Sequence, residues 1–400
     1  MGVNEVGILL FVAALVSMVC RRFKVPYTVG LTITGFVLGF LPRVPDFPIT
    51  KELIFSALLP PLVFEAAFQI PWTELKKNLA VIGVLATLGV LLSVAIVSAG
   101  LYSILGWSIN TALILAVLIS ATDPVSVIAT FKSTNVPDRL KLLVEAESLL
   151  NDGTAAVLFA IVLATVNGNA VTPIAVARDF IVTVAGGIAI GGAIGTAAVF
   201  LSGRARDHLA EITFSSLAAY ASFLVAERFH MSGVLATMTA GLILGNVTSF
   251  VSSEDRGREA VDSFWEYVAF VANSLVFLLI GLRVADRPLL SILGPACVLI
   301  VLTLLGRSFS VYFTCALFNW SKQRIPFKSQ HILVWGGLRG ALALALALGL
   351  PLGMPLRQEI LDLTFGVVAF SVIVQGLTLS PLLKKLGLVG PQLNAAEAKS

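Results

Sequence analysis

Runs of about 20 predominantly apolar residues recur from one end of this 400-residue chain to the other. Each is long enough to cross the hydrocarbon of a bilayer as a helix, which satisfies its own backbone hydrogen bonds. Hydrophobic residues make up 57% of the chain and charged residues 12%. A soluble domain carries about twice that share of charge. A water-soluble fold would bury nearly the whole chain with little polar surface to cover it, so that class is excluded. The pattern predicts an all-α polytopic membrane protein with about thirteen transmembrane helices. They fall near 5–20, 27–42, 51–69, 78–105, 109–131, 140–166, 172–201, 209–228, 231–250, 260–281, 288–318, 329–349 and 358–383. Residues 1–385 read as one transmembrane domain and 386–400 as a short cytoplasmic tail. The longest polar stretch, 248–263, reads as a cytoplasmic loop.

The net charge of +4 comes from basic residues scattered in short groups between apolar segments. That arrangement anchors loops at a membrane and does not bind nucleic acid. One set of loops carries eighteen of the 27 Lys and Arg residues, the opposite set seven, and Arg307 and Arg339 lie inside spans. The richer side is expected in the cytoplasm, with the N-terminus outside and the C-terminus inside. The first basic group (Arg21, Arg22, Lys24) follows the first apolar run, the reverse of a secretory signal, so residues 5–20 read as a retained helix. Cys20, Cys297 and Cys315 read as small buried hydrophobes. His208, His230 and His331 lie near span ends and read as solvated. No zinc cluster and no Ser–His–Asp set is credible, so no enzyme and no cofactor is expected.

An ionisable group inside a span is costly and is a functional candidate by default. Asp152 lies 11 residues beyond Lys141, Arg339 lies 11 beyond Lys328, and Glu65 lies 11 before Lys76. At 1.5 Å per residue each sits roughly 16 Å from the Lys-rich edge, near the middle of a bilayer core of about 30 Å. Asp123 falls near the middle of 109–131. Such agreement in depth points to one polar site. On the helix over 140–166, Ser148 and Asp152 share a face, as do Glu147 and Asn151. Glu147 and Asp152 are about 140° apart and serve different partners. Glu145 is near the interface.

In "LISATDPVSVIATFK" (118–132), Pro124 removes a backbone donor and disfavours helix at Asp123. A helix broken there, around Thr122 and Asp123, lines a polar cavity and presents half-helix ends to a cation. In "VWGGLRGALALALALG" (334–349), Gly336, Gly337 and Gly340 loosen a second span around Arg339. A buried arginine must be paired. Glu147 is the preferred partner, because a pair with Asp123 or Asp152 would block the cation site. Glu65, just after Pro60 and Pro61, is a cation ligand, a proton relay or a structural acid. Broken spans at positions five and twelve fit two inverted six-helix repeats, spans 1–6 and 8–13. The glycines of "AGGIAIGGAIG" (185–195) read as small residues for helix packing rather than a nucleotide loop.

"TDP" (122–124), "ESLLND" (147–152), "GGLRG" (336–340), "LLPPLVFEAAF" (58–68) and "FWEYVAFVANSLVFLLIGL" (264–282) together resemble the monovalent cation/proton antiporters, closest to NhaP-type sodium/proton exchangers. The resemblance covers nearly the whole membrane domain. It implies a thirteen-helix inverted-repeat fold with core and dimerisation subdomains, a homodimer, and elevator-like alternating access in the cell membrane. It implies that Thr122, Asp123, Ser148, Asp152 and Glu65 surround the cation, with Na⁺ at Asp152, Asp123, Ser148 and Thr122. Asn151 beside Asp152 resembles the electroneutral branch, and Glu147 with Arg339 would form a structural ion pair. Na⁺ (or Li⁺) and H⁺ would then compete for Asp152. A K⁺/H⁺ antiporter is the nearest alternative; a cation channel and a non-transporting membrane sensor are alternatives of other classes.

Overall fold

The computed structural model describes residues 3–23, 25–41, 50–166, 172–205, 208–251, 255–285, 287 and 289–389. Among them there are helices and short turns and no strand, and each expected span holds helix. Eight helical segments are long and apolar enough to cross a membrane. Three shorter apolar helices, Tyr27–Gly39, Leu53–Phe68 and Gly233–Val247, accompany them. Phe11, Ile174, Phe200, Phe309 and Phe313 are exposed on the outside of the bundle, as lipid contact requires. This is a multi-pass membrane protein. Cys297 shares that outer surface, so it is not the buried hydrophobe expected; Cys20 and Cys315 are buried.

Two boundaries differ from expectation. The fourth span begins at Trp72 and continues through a π-helical turn, Leu85–Gly89, to Leu105. Much of the polar stretch 248–263 is not loop, because the helix Asp255–Ala285 starts within it. Arg258 and Asp262, one turn apart at 3.9 Å, support that helical end. Of the tail 386–400, residues 390–400 lie outside the described residues.

The helices pack in two groups. In the first, Tyr27–Gly39 lies along Asp255–Ala285, and Pro173–Ala205 and Leu59–Phe68 lie along Gly233–Val251. The glycines of 185–195 serve this packing: a Cβ on Gly191 would sit 2.8 Å from the Ala236 Cα. A small apolar core of Phe64, Phe68, Ala219, Leu244 and Trp265 fills the group. The buried Trp265 satisfies its indole N–H on Ser215 Oγ at 3.0 Å.

The second group holds Trp72–Leu105, Asp138–Val166, Leu289–Leu317, Arg357–Leu386 and two broken spans. The first break separates Ile109–Ser120 from Val125–Thr134, and the second separates Phe327–Trp335 from Ala341–Leu348. At one end the two groups stand apart around a cavity of about 620 Å³, lined by Arg21, Lys132 and Lys384 together with Glu65, Glu145 and Glu266. At the other end they touch. There Arg287, in the connection between Asp255–Ala285 of the first group and Leu289–Leu317 of the second, pairs with Asp362 of the second at 2.6 Å, and Gln358 Nε2 donates to the same carboxylate oxygen at 2.9 Å.

Candidate functional site

Breaking a helix inside a membrane frees carbonyls and N–H groups that must find partners. Here the two breaks cross and satisfy each other. The Asp123 N–H donates to the Leu338 carbonyl at 2.7 Å. Arg339 Nη1 donates to the Ser120 and Ala121 carbonyls at 2.9 and 3.2 Å. A cation thereby rests on the negative C-terminal end of the first half-helix. Asp123 accepts the Val125 N–H at 2.9 Å and lies against Gly340, so a carboxylate faces the N-terminal ends of two half-helices. A π-helical turn, Ser371–Gln375, completes the set. Ser371 Oγ accepts the Arg339 N–H at 2.8 Å, and Gln375 Nε2 donates to the Trp335 carbonyl at 3.0 Å.

Asp138–Val166 passes beside this crossing and supplies the remaining groups. Thr122 Oγ1 donates to Ser148 Oγ at 3.1 Å, and Asn151 Nδ2 donates to Thr122 Oγ1 at 3.2 Å. Asp152 takes a hydrogen bond from the Thr122 backbone N–H. Its Oδ1 is buried without a partner, as is Asn151 Oδ1. Asp152, Asp123, Thr122 and Gly340 line a pocket of about 50 Å³. Hard cations are bound by such oxygens, and a buried carboxylate oxygen without a donor is the group that attracts one.

The sequence-predicted residues divide cleanly. Thr122, Asp123, Pro124, Ser148, Asn151, Asp152, Arg339 and Gly340 come together at the crossing. Glu65 does not reach the small pocket. It lines the wide cavity and accepts Gln69 Nε2 at 2.5 Å, while Leu62, Val63 and Ala66 of its helix wall the pocket. Glu145 lines the wide cavity too.

The expected pairing of Glu147 with Arg339 is wrong. Glu147 is held by Arg307 of Leu289–Leu317, with Nη1 to Oε1 at 2.7 Å and Nη2 to Oε2 at 2.8 Å. Arg307 Nε and Nη2 also reach the Leu333 carbonyl at 3.2 and 3.0 Å, a carbonyl freed by the second break. Gly337 gives room beside this fork, since a Cβ there would sit 2.7 Å from Arg307 Nε, whereas a Cβ on Gly336 would meet the Ile332 carbonyl and Val127. Arg339 is satisfied by backbone carbonyls instead of a carboxylate.

The sequence profile described as "Sodium/hydrogen exchanger, transmembrane" matches residues 7–385. The chain belongs to the sodium/hydrogen exchanger family. It is 39% identical over 380 residues to the Na(+)/H(+) antiporter ApNhaP of Aphanothece halophytica, covering 94% of this chain and 73% of that protein. It is 34% identical to the Na(+)/H(+) antiporter NhaH of Halobacillus dabanensis, covering 96% of this chain and 98% of that protein. Its fold matches the sodium proton antiporter MjNhaP1 of Methanocaldococcus jannaschii with a TM-score of 0.79 at 20% identity, covering 98% of this chain and 100% of that one.

Three residues that brace this crossing were not singled out from sequence. Arg307 was visible as the second arginine inside a span. Ser371 and Gln375 carried no signal, because only the crossing of the two breaks creates the backbone groups they satisfy. His331 is not simply solvated: its Nδ1 lies 2.5 Å from the Tyr312 hydroxyl.

Proposed function

We propose that the protein exchanges Na⁺ for H⁺ across the cell membrane by alternating access, with both ligands competing for Asp152. The observation that carries this reading is the buried, unpartnered Oδ1 of Asp152 in a pocket sized for one ion at the crossing of two broken helices. The relatives ApNhaP and NhaH are Na(+)/H(+) antiporters, which supports sodium and gives no support to the potassium alternative.

The charges around the crossing support a 1:1 exchange. Arg307 and Arg339 bring two positive charges, and Glu147, Asp123 and Asp152 bring three negative ones. The empty site is short of one positive charge. One Na⁺ or one H⁺ restores neutrality, and two together overshoot it. An unneutralised carboxylate sliding past the apolar wall of Leu59, Leu62 and Val63 would lose solvation worth several kcal/mol, so the site moves only when loaded.

The wide cavity opens among Arg21, Lys132 and Lys384, on the Lys/Arg-rich side, which supports an inward-facing state. A cation entering there passes Glu65 on its way to Asp152. The end closed by Arg287 and Asp362 is then the outer end, and that pair must part when the site turns outward. Thirteen crossings, an outside N-terminus, a cytoplasmic C-terminus, core and dimerisation subdomains and a homodimer belong to the same proposal. Replacing Gly340 by Ala sets a methyl group 2.7 Å from the Asp123 Cγ. Overpacking of this kind costs about 1–3 kcal/mol. Gly340→Ala is expected to lower exchange about tenfold or more while thermal unfolding in detergent still shows a folded protein.

The test is dissipation of a pH gradient in proteoliposomes carrying an internal pH dye, with Na⁺, Li⁺ and K⁺ added in turn and the voltage clamped or not by valinomycin and K⁺. Na⁺-dependent proton flux that ignores the clamp is the expected result. Rapid voltage-driven flux would point to a channel, and cation binding without flux to a sensor; either outcome rejects the proposal.

A further inference from the structure

Asn273 lies in Asp255–Ala285, in the group of helices that does not carry Asp152. It is 6% exposed. Four residues border both the wide cavity and the small pocket: Ala66, Pro124, Val125 and Asn273. Asn273 alone among these four has a polar side chain. The rest of the pocket wall from its own group is Leu59, Leu62, Val63 and Ala66, all apolar. Its amide lies within bonding reach of Tyr27, which also lines the wide cavity. An amide carries two donors and a two-lone-pair carbonyl, and one bond to a tyrosine leaves most of that capacity unspent. An unspent amide beside an apolar wall, at the threshold of a carboxylate pocket, is a ligand for a cation shedding its water.

We propose that Asn273 is a one-sided ligand. Its amide oxygen coordinates the Na⁺ passing from the wide cavity into the pocket, and it does so only while the pocket faces that cavity. When Asp152 moves relative to the first helix group, Asn273 stays behind and the ion loses this ligand. Asn273 therefore sets sodium affinity at the cavity face, not at the opposite face and not the maximum rate. The inference rests on the alternating-access exchange proposed above.

Sodium KM and maximum rate would be measured separately at the two faces, in everted and right-side-out membrane vesicles, for the unaltered protein, Asn273→Leu and Asn273→Asp. Asn273→Leu should raise KM at the cavity face on the order of tenfold, as for the loss of a hydrogen bond to a charged group. The opposite-face KM and the maximum rate should stay within about twofold, a change too small to reflect a lost ligand. Asn273→Asp, which keeps an oxygen there and adds charge, should lower the cavity-face KM below that of the unaltered protein. An unchanged cavity-face KM, or an equal rise at both faces, overturns the assignment while leaving exchange itself intact. If Asn273→Leu does not fold, Asn273→Asp decides alone: a cavity-face KM that fails to fall overturns it. Absence of sodium-dependent proton flux in the unaltered protein overturns the exchange reading and this inference together.

Discussion

Asp152→Asn is expected to abolish Na⁺-dependent proton flux in proteoliposomes while leaving a folded, monodisperse protein. Asparagine has nearly the same shape and can still accept the Thr122 N–H that Asp152 holds. What it removes is the charge. A unit charge pair about 4 Å apart at an effective dielectric constant near 20 is worth about 4 kcal/mol. That attraction is roughly 1,000-fold in affinity, enough to empty the site at ordinary sodium concentrations. The proton site disappears with it, because an amide does not titrate. Asp152→Glu makes the contrast. It keeps the charge and displaces it by one methylene in a pocket of about 50 Å³, so slowed exchange with a raised sodium KM is expected. Flux in Asp152→Asn comparable to the unaltered protein would show that the ion binds elsewhere.

The division of labour between the two aspartates follows from what each already holds. Asp123 accepts the Val125 N–H and stands at two positive half-helix ends, so part of its charge is balanced by the backbone. Asp152 sits in the middle of an unbroken helix, and one of its oxygens has no donor. Asp123 and Arg339 hold the crossing together, and in the exchange proposed above Asp152 is left with the charge that the mobile cation neutralises. The same accounting explains why Arg339 needs no carboxylate. Two carbonyls at the end of Ile109–Ser120 give it the negative potential a counter-ion would supply.

Much of this was legible in the sequence because its causes are local. Pro124 forces the first break, and Gly336, Gly337 and Gly340 permit the second. The shared depth of Asp123, Asp152 and Arg339 follows from counting residues along single helices. The choice of Arg307 over Arg339 as the partner of Glu147 is of another kind. Both arginines lie inside spans, and both are buried, at 6% and 3% exposure. Which one meets Glu147 depends on where Leu289–Leu317 stands in the bundle, which no single segment encodes. Glu65 stands in the wide cavity for a related reason. Its helix turns Leu62, Val63 and Ala66 toward the pocket and Glu65 toward the wide cavity. Ser371 and Gln375 belong to a π-helical turn, and their role exists only once the second break lies beside it.

Glu147→Leu is expected to be among the most damaging single changes to stability. The Glu147 side chain is 1% exposed and that of Arg307 7%, and two parallel hydrogen bonds join them. Without the carboxylate, Arg307, buried like Arg339, faces it with no counter-charge of its own. Breaking a buried pair from one side costs about 3–5 kcal/mol, a large share of the roughly 5–15 kcal/mol by which most proteins stay folded. A sharply lowered unfolding temperature in detergent, or loss of folded protein on extraction, is the expected readout. Adding Arg307→Met to Glu147→Leu removes the stranded charge and should return most of the stability, since an apolar replacement of a buried pair is often close to neutral. The recovery stays incomplete because the Leu333 carbonyl loses its donor, a deficit of about 1–3 kcal/mol. Adding Arg339→Met instead should recover nothing, because the Ser120 and Ala121 carbonyls then lose their donor while Arg307 remains unpaired. Rescue by Arg339→Met rather than Arg307→Met would mean that Glu147 is paired as the sequence first suggested, and that the geometry of the crossing is different from the one described.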